Sequence, residues 1–263
     1  MRHNKTWSSV SLLKRGTRMK GISIIVPMEK NRMNLFKNTI KAYVDKEYED
    51  VEFILVSRTL TTEDLKEIYN TLPYNVYIQL VPYIWDSPHF SQALALNIGI
   101  RNASYDSMIV TSPECSPRTN VLSQLTPLVG KNIVCQVFDT NQQGEITMSL
   151  VNSDFRSHSP AMHFLAMFNK ADLELINGWS LDYIKGGGAY DDDDFGDRFN
   201  KAGLKFEIHD EIQAIHQYHM RGRVNREWLE NQATFAKQQA SNNWYAKNGL
   251  RETNEHINTI NGK

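Results

Sequence analysis

The sequence predicts an α/β fold, with a mostly parallel central sheet flanked by helices in a single domain. Three observations carry this. From Gly21 to Thr111, short apolar runs alternate with amphipathic segments, the pattern of βαβ units. The apolar runs are strand-length, far below the ~20 residues of a membrane span. The 263 residues, with 14 Gly and 8 Pro, contain no repeat or linker-like stretch, so the length supports one large domain.

The elements follow in order. Residues 1–20 hold six basic side chains and no acid; they read either as a solvated lead-in or as a basic arm that touches phosphates. Ile22–Pro27 is a buried strand, Asn34–Tyr43 a short amphipathic helix and Val51–Ser57 a second buried strand. Thr62–Leu72 is a helix with Thr61 or Thr62 as its cap and acids in its first turn, as a helix start requires. Val76–Pro82 is a strand, Ser91–Asn102 a helix and Ser107–Thr111 a strand. Ligands of such sheets sit beyond the carboxyl ends of the strands.

Past residue 130 the pattern changes. Ile133–Phe138, Ile146–Leu150 and Ala161–Phe168 are expected strands, and Lys170–Ile176 opens a helix. Gly186-Gly187-Gly188 precedes four aspartates and a helix to about Ala202. Phe206–His209 and Ala214–His216 are two short strands, and 226–248 is a polar helix. The expected organisation is a lead-in (1–20), a nucleotide-binding half (21–130), a substrate-binding half of the same domain (131–225) and a helical extension (226–263).

Composition excludes several classes. There are 29 basic and 30 acidic residues, a formal charge of −1, so whole-protein charge implies no polyanionic partner. Two cysteines, Cys115 and Cys135, exclude a disulfide framework and a four-cysteine zinc site. Their scarcity fits a reducing compartment. The first twenty residues lack the apolar core of a secretory signal, so the expected location is the cytoplasm.

Four stretches can carry chemistry. The first is Gly186–Phe199, with Asp191-Asp192-Asp193-Asp194 at its centre. On a helix Asp191 and Asp194 share a face while Asp192 and Asp193 point elsewhere. The run reads as an acidic helix start favoured by the macrodipole or as the home of a general base. The glycines before it let backbone approach a ligand. The second stretch is Ile109–Pro117, where Glu114 lies just past a strand's carboxyl end, either a metal or phosphate contact or a solvated turn residue. The third is Ala214–His219: in an extended segment His216 and His219 face opposite sides and need not be co-ligands. The fourth is Phe90–Ala103, an amphipathic helix whose Ala and Gly residues permit close packing.

In this order the pieces resemble a nucleotide-sugar glycosyltransferase of the GT-A fold, similar to the large family 2. SIIVP with Asn31-Arg32 resembles the family's "SIIIPTYNR" start, whose loop lies under the nucleotide base. That implies donor contacts from Pro27, Glu29 and Arg32. VEFILVS resembles "EIIVVDDGS", with the base-reading acid replaced near Ser57-Arg58. ALALNIGIRNA resembles "ARNLGIRAA", which packs beneath the diphosphate and brings in Ser91 and Asn97. MIVTSPEC stands where the family has "ILFLDADC", so the Asp-x-Asp becomes Ser112-Pro113-Glu114. Glu114 inherits the metal contact, and the first acid is missing. FLAMFNKADLELINGWSLDY and the later GG…DDDDFGDRF resemble the acceptor-side segment of β-1,4-galactosyltransferases, "INGFPN…GGEDDDIFNRL". This alignment puts the family's Glu-Asp pair on Asp191-Asp192, with Asp192 as catalytic base and Gly187 and Gly188 near the donor. AIHQYH resembles the late metal-binding "V-x-H", pointing to His216 before His219.

The resemblance covers residues 21–220 and implies an inverting transfer. A divalent cation, Mn²⁺ or Mg²⁺, holds the diphosphate of a UDP-sugar through Glu114 and His216 or His219. Asp192 takes the acceptor proton, with Asp191 or Asp193 raising its pKa. Trp179 stacks on donor sugar or acceptor, or is a packing aromatic in a turn. Two acceptor classes stay open: an envelope glycan or glycolipid, and a hydroxymethylated base in DNA, as some viruses carry, which would place the protein in host cytoplasm. Basic residues at the N-terminus and Arg221, Arg223 and Arg226 could meet the phosphates of the second. The rival reading is a catalytically inactive nucleotide- or glycan-binding module, favoured by Ser112. A nucleotidyltransferase lacks support because Met28–Arg32 contains no glycine, and no G-x-G-x-x-G supports a dinucleotide site. Oligomeric state is open.

Overall fold

In the computed structural model the described residues are 21–85, 89–151, 162, 164–183, 190–220 and 226–256. The expectations for residues 1–20, Gly186, Gly187, Gly188, Arg221 and Arg223 lie outside them.

The front half is a parallel sheet. It holds β1 (Ile22–Pro27), β2 (Val51–Ser57), β3 (Tyr77–Pro82) and β4 (Ser107–Thr111) in the order β3-β2-β1-β4, all parallel. All residues of β1, β2 and β4 are buried. A strand covered on both faces has no reason to alternate polarity, which is why ISIIVP and VEFILVS read as unbroken apolar runs. Ile24, Ile25, Phe53 and Ile54 are fully enclosed, each side chain stabilising the fold by roughly 1.5–3 kcal/mol relative to exposure.

Helix α1 (Met33–Tyr43) follows β1. Helix α2 (Thr62–Tyr69) is capped by Thr61, whose hydroxyl accepts from the Asp64 amide while Asp64 accepts from the Thr61 amide, a reciprocal capping box. Helix α3 (Gln92–Asn102) is buried from Ala93 to Ile100. It sits so close to β1 that a Cβ on Gly99 would stand 2.3 Å from Ile25 Cγ2. This is the close packing expected of its small residues.

The back half extends the same sheet. It adds β5 (Cys115–Pro117), β6 (Ile133–Thr140), β7 (Ile146–Ser149), β8 (Leu165–Asn169) and β9 (Glu207–His216), continuing the order from β4 as β8-β6-β9-β5, with β7 on β6. Here β4 meets β8 and β8 meets β6 antiparallel, while β6 and β9 run parallel. Helices α4 (Val121–Leu125), α5 (Lys170–Leu175), α6 (Asp191–Lys201) and α7 (Arg226–Ala240) complete the chain.

Two expectations are corrected. The two short strands at Phe206–His209 and Ala214–His216 are one strand, β9, whose register on β6 shifts opposite Cys135 and Gln136; that irregularity carries the polar stretch between them. The polar helix expected over 226–248 ends at Ala240. Ser241 and Asn243 divert the backbone there: the Ser241 hydroxyl donates to Gln238 O, and Gln238 Nε2 donates to Asn243 O, the local competition that ends helices. The chain then returns to the domain, where Asn177 Nδ2 donates to Ala246 O and Leu250 N donates to Asn177 O.

The order β3-β2-β1-β4 reverses direction in sequence between β1 and β4. In open α/β sheets the ligand crevice lies outside the carboxyl ends of the strands at such a switch point. That places Pro27–Glu29 on one side of the crevice and Ser112–Glu114 on the other.

Candidate functional site

Three strands bring the site together. Across β6 and β9 Asp139 is aligned with His216, and across β9 and β5 His216 is aligned with Cys115. Glu114 immediately precedes Cys115, in the turn after β4. Glu114, His216 and His219 each offer a ligand atom, and these atoms lie within 4.8 Å of one another. Glu114 Oε1 is 3.6 Å from His216 Nε2 and 3.3 Å from His219 Nε2. On the far edge of its ring His216 Nδ1 is 3.0 Å from Asp139 Oδ1.

The expectation that His216 and His219 face opposite sides is corrected. Alternation holds only while the strand continues, and β9 ends at His216. Gln217 turns the chain inward: its amide and its Nε2 both donate to Glu114 O, and Nε2 also donates to Thr39 Oγ1. His219 is thereby brought back beside Glu114.

The Glu114 carboxyl is held as an anion. Burial pushes it up, but hydrogen bonds and positive charge from the two histidines in their protonated forms outweigh burial and hold it well below the ordinary carboxylate range. Glu114 Oε2 and His219 Nε2 are buried with no hydrogen-bond partner among the described residues. An orphaned buried oxygen beside an orphaned buried nitrogen costs free energy, and a divalent ion between them would satisfy both. The donor set therefore fits a metal. Ser112 and Pro113 are buried in the same turn.

The acidic run begins helix α6. Tyr190 precedes it in the left-handed region at φ 70°, a sparsely populated state for a residue with a Cβ. Its ring lies 5.6 Å from Phe235 and 5.3 Å from Trp228 of α7. The four acids then divide as helix geometry demands. Asp191 and Asp194 are buried and Asp192 and Asp193 half-buried. Asp194 accepts from Arg198 Nε at 2.7 Å and from the Tyr183 hydroxyl at 3.2 Å. Asp192 accepts from the Asp193 amide. Burial, then the charges of Asp191 and Asp193, push the Asp192 carboxyl well above the ordinary range.

The remaining expected donor contacts divide into two groups. Near the carboxyl ends of β1 and β2, Arg58 Nε and Nη2 donate to both oxygens of Glu29 at 3.2 Å, and the Arg58 guanidinium lies 5.9 Å from the Phe90 ring. Pro27 is buried at the end of β1 and Arg32 is half-buried in the turn before α1. The Tyr83 hydroxyl, buried beside this pair, and Gln92 Nε2 have no hydrogen-bond partner among the described residues; the sequence reading missed both, and no motif marks them.

The other group has structural occupations. Ser57 Oγ accepts from the Thr59 and Leu60 amides. Ser91 caps α3 by accepting from the Leu94 amide. Asn97 is fully buried: its Nδ2 donates to Trp179 O and its Oδ1 accepts from Trp179 N. Trp179 is also fully buried, stacked 4.0 Å from Phe195. Both side chains are engaged inside the core, which favours the packing alternative for Trp179 over stacking on donor sugar or acceptor, although the Trp179 indole Nε1 is buried with no hydrogen-bond partner among the described residues. Gly178, at φ 64°, lets this contact form, because a Cβ there would stand 2.5 Å from Asn97 Oδ1.

A cavity of about 440 Å³, bounded by Ser180, Tyr183, Lys237, Gln238 and Tyr245, contains none of the cluster's three residues. Donor chemistry, not cavity size, therefore marks the site.

Compared with protein families and with curated proteins, the sequence matches none. Solved structures do match. The mannosyltransferase PcManGT of Pyrobaculum calidifontis, in complex with GDP-Man and Mn²⁺, superposes with a TM-score of 0.55 at 15% identity, covering 83% of this chain and 62% of its own. S. aureus TarS 1-349 in complex with UDP gives 0.60 at 12% identity, covering 89% of this chain and 69% of its own. The chain thus spans less than two thirds of the mannosyltransferase it matches. At these identities the likeness establishes the fold: the chain has a GT-A-like glycosyltransferase fold.

Proposed function

We propose that this chain transfers a sugar from a nucleoside-diphosphate sugar to an acceptor hydroxyl, with inversion at the anomeric carbon. The observation that carries the reading is the Glu114–His216–His219 cluster beside the β1/β4 switch point. Solved neighbours of the same fold hold GDP-Man with Mn²⁺, or UDP, which supports a nucleotide donor.

Glu114, His216 and His219 are the residues that would hold a divalent metal. Two imidazoles with one carboxylate suit Mn²⁺ better than Mg²⁺, which favours oxygen and water. Such an ion supplies charge neutralisation of the departing diphosphate. Glu29, Arg58 and Arg32, on the segments after β1 and β2, would contact the nucleoside end of the donor. Ser112 and Pro113 shape the wall beside Glu114. Asp192 is the base: as the acceptor oxygen attacks C1 from the face opposite the leaving group, Asp192 takes its proton, the C1–O bond to diphosphate breaks, and the electron pair leaves with the nucleoside diphosphate. Asp191 and Asp193 keep the Asp192 pKa high enough for a carboxylate to be an effective base.

The acceptor is an envelope glycan or glycolipid, or a hydroxymethylated base in DNA. For the latter, the base must leave the stack, and binding must weaken steeply with salt. A specific observation favours a second reading, an inactive binding module: Ser112 occupies the place of the first acid of the Asp-x-Asp pattern.

The test is donor turnover. The protein is incubated with UDP-, GDP- and TDP-sugars, with Mn²⁺, Mg²⁺ or EDTA, with and without hydroxymethylated DNA, and nucleoside diphosphate release is read. Metal-stimulated release from one donor supports the transferase, and a further rise with DNA names the acceptor. Nucleotide binding without release from any donor supports the inactive module instead.

A further inference from the structure

We propose that Asp139 is the positioning residue of the site, fixing the tautomer and orientation of His216 so that Nε2 carries its lone pair toward the cation. The proposal rests on the metal-dependent reading above. The backbone of His216 is already secured without the Asp139 side chain. Its ladder partner in β6 holds the strand, and the Thr140 hydroxyl donates to His216 O at 2.9 Å. The carboxylate faces the ring itself. Asp139 Oδ1 stands 3.0 Å from Nδ1, on the edge away from Glu114, and Phe164 abuts the ring edge-on at 5.1 Å. A carboxylate only accepts, so the ring proton sits on Nδ1. Nε2, 3.6 Å from Glu114 Oε1, is then left as the unprotonated nitrogen that a metal requires. A histidine ligand whose other nitrogen is held by a carboxylate is both oriented and more basic, and loss of such a partner lowers metal affinity by about 10–100-fold.

Asn in place of Asp139 keeps the shape and loses the obligation. Its amide can donate to Nδ1 as readily as accept, and a donating amide places the ring proton on Nε2, where it blocks coordination.

The experiment pairs two readouts on the full chain. Long-range ¹H–¹⁵N spectra of metal-free protein report the His216 tautomer, assigned with His216→Gln. Calorimetric titration with Mn²⁺ alone reports affinity. The expected results are an Nδ1–H tautomer in the native protein, a Kd for Mn²⁺ raised by roughly 10–100-fold in Asp139→Asn and Asp139→Ala, and recovery of most of that loss in Asp139→Glu. An Nε2–H tautomer in the native protein, or a Kd unchanged in both neutral variants, overturns the proposal while leaving the metal site standing. Native protein that takes up no Mn²⁺ overturns the metal reading itself, and this one with it. Should Asp139→Ala fail to fold, the Asn-against-Glu comparison and the native tautomer still decide.

Discussion

Arg198 and Asp194, one helical turn apart in α6, form a buried ion pair that also holds the turn preceding Trp179. Arg198 Nε donates to Asp194 at 2.7 Å, while Nη1 donates to Ile176 O and Nη2 to Gly178 O. Both side chains are almost fully enclosed. The last acid of the run is thus a structural anchor, and it sets the rotation of the helix that carries Asp191 and Asp192.

Breaking this pair from one side should be costly. Arg198→Ala leaves a buried carboxylate and two carbonyls without their donor, and removing one partner of a buried pair destabilises by about 3–5 kcal/mol. Chemical denaturation is the check. A loss below about 1 kcal/mol would mean that water replaces the guanidinium and that the pair does not anchor the turn.

The acidic run should show itself in the pH dependence of turnover. Only the carboxylate form of Asp192 can accept a proton, so kcat rises as pH climbs through its raised pKa. The limb therefore lies above the ordinary carboxylate range. Asp193→Asn removes one of the two repelling charges, lowering that pKa and shifting the limb to more acid pH. Asp192→Asn should cut kcat by about 10²–10⁴-fold, the usual worth of general base catalysis, with donor binding retained. If Asp191→Asn abolishes transfer while Asp192→Asn does not, the base is the neighbouring residue. If neither matters, the base assignment fails.

Much of the front half was legible because its strands are covered on both faces. Val51–Ser57 reads as a buried strand and is one, and the small residues of the helix with Gly99 permit the close packing that is found. What stayed hidden was direction and register. Trp179 and Asn97 have the composition of sugar-binding residues, but nothing local says that Trp179 turns onto Phe195. His219 could be placed only by knowing that β9 stops at His216. Asp139 was invisible because its link to His216 spans 77 positions of sequence and arises from inter-strand register. The position of Glu114 was readable, since lying past a strand's carboxyl end is a property of order alone; its metal role came from the resemblance.

Removing the carboxylate from the metal cluster should separate cation binding from nucleotide binding. Glu114→Gln leaves two imidazoles and a neutral amide, and its effect should exceed that of any outer partner: a fall in Mn²⁺ affinity of more than roughly 100-fold. Binding of the nucleoside diphosphate in EDTA should change little, because the proposed nucleoside contacts, Glu29 and Arg58, lie on the other side of the crevice. Calorimetry with Mn²⁺ and with the nucleotide, run separately, reads both. Native-like Mn²⁺ affinity in this variant would remove Glu114 from the ligand set.

Trp179 offers a test in which packing and sugar stacking give opposite outcomes. Its ring is stacked 4.0 Å from Phe195, and Phe168 meets it edge-on at 5.9 Å. Trp179→Ala should therefore cost about 3–5 kcal/mol through lost burial and the cavity left behind. Trp179→Phe keeps an aromatic on Phe195 and leaves the Asn97 bonds untouched, since those go to the Trp179 backbone. It should lose less stability than Ala and keep the native KM for donor. Denaturation midpoints and donor kinetics of the two variants make the comparison. A Trp179→Phe protein of near-native stability whose donor KM rises by about tenfold or more would place the ring in the sugar site after all, through a rearrangement of α6 against β8 that the closed core does not show.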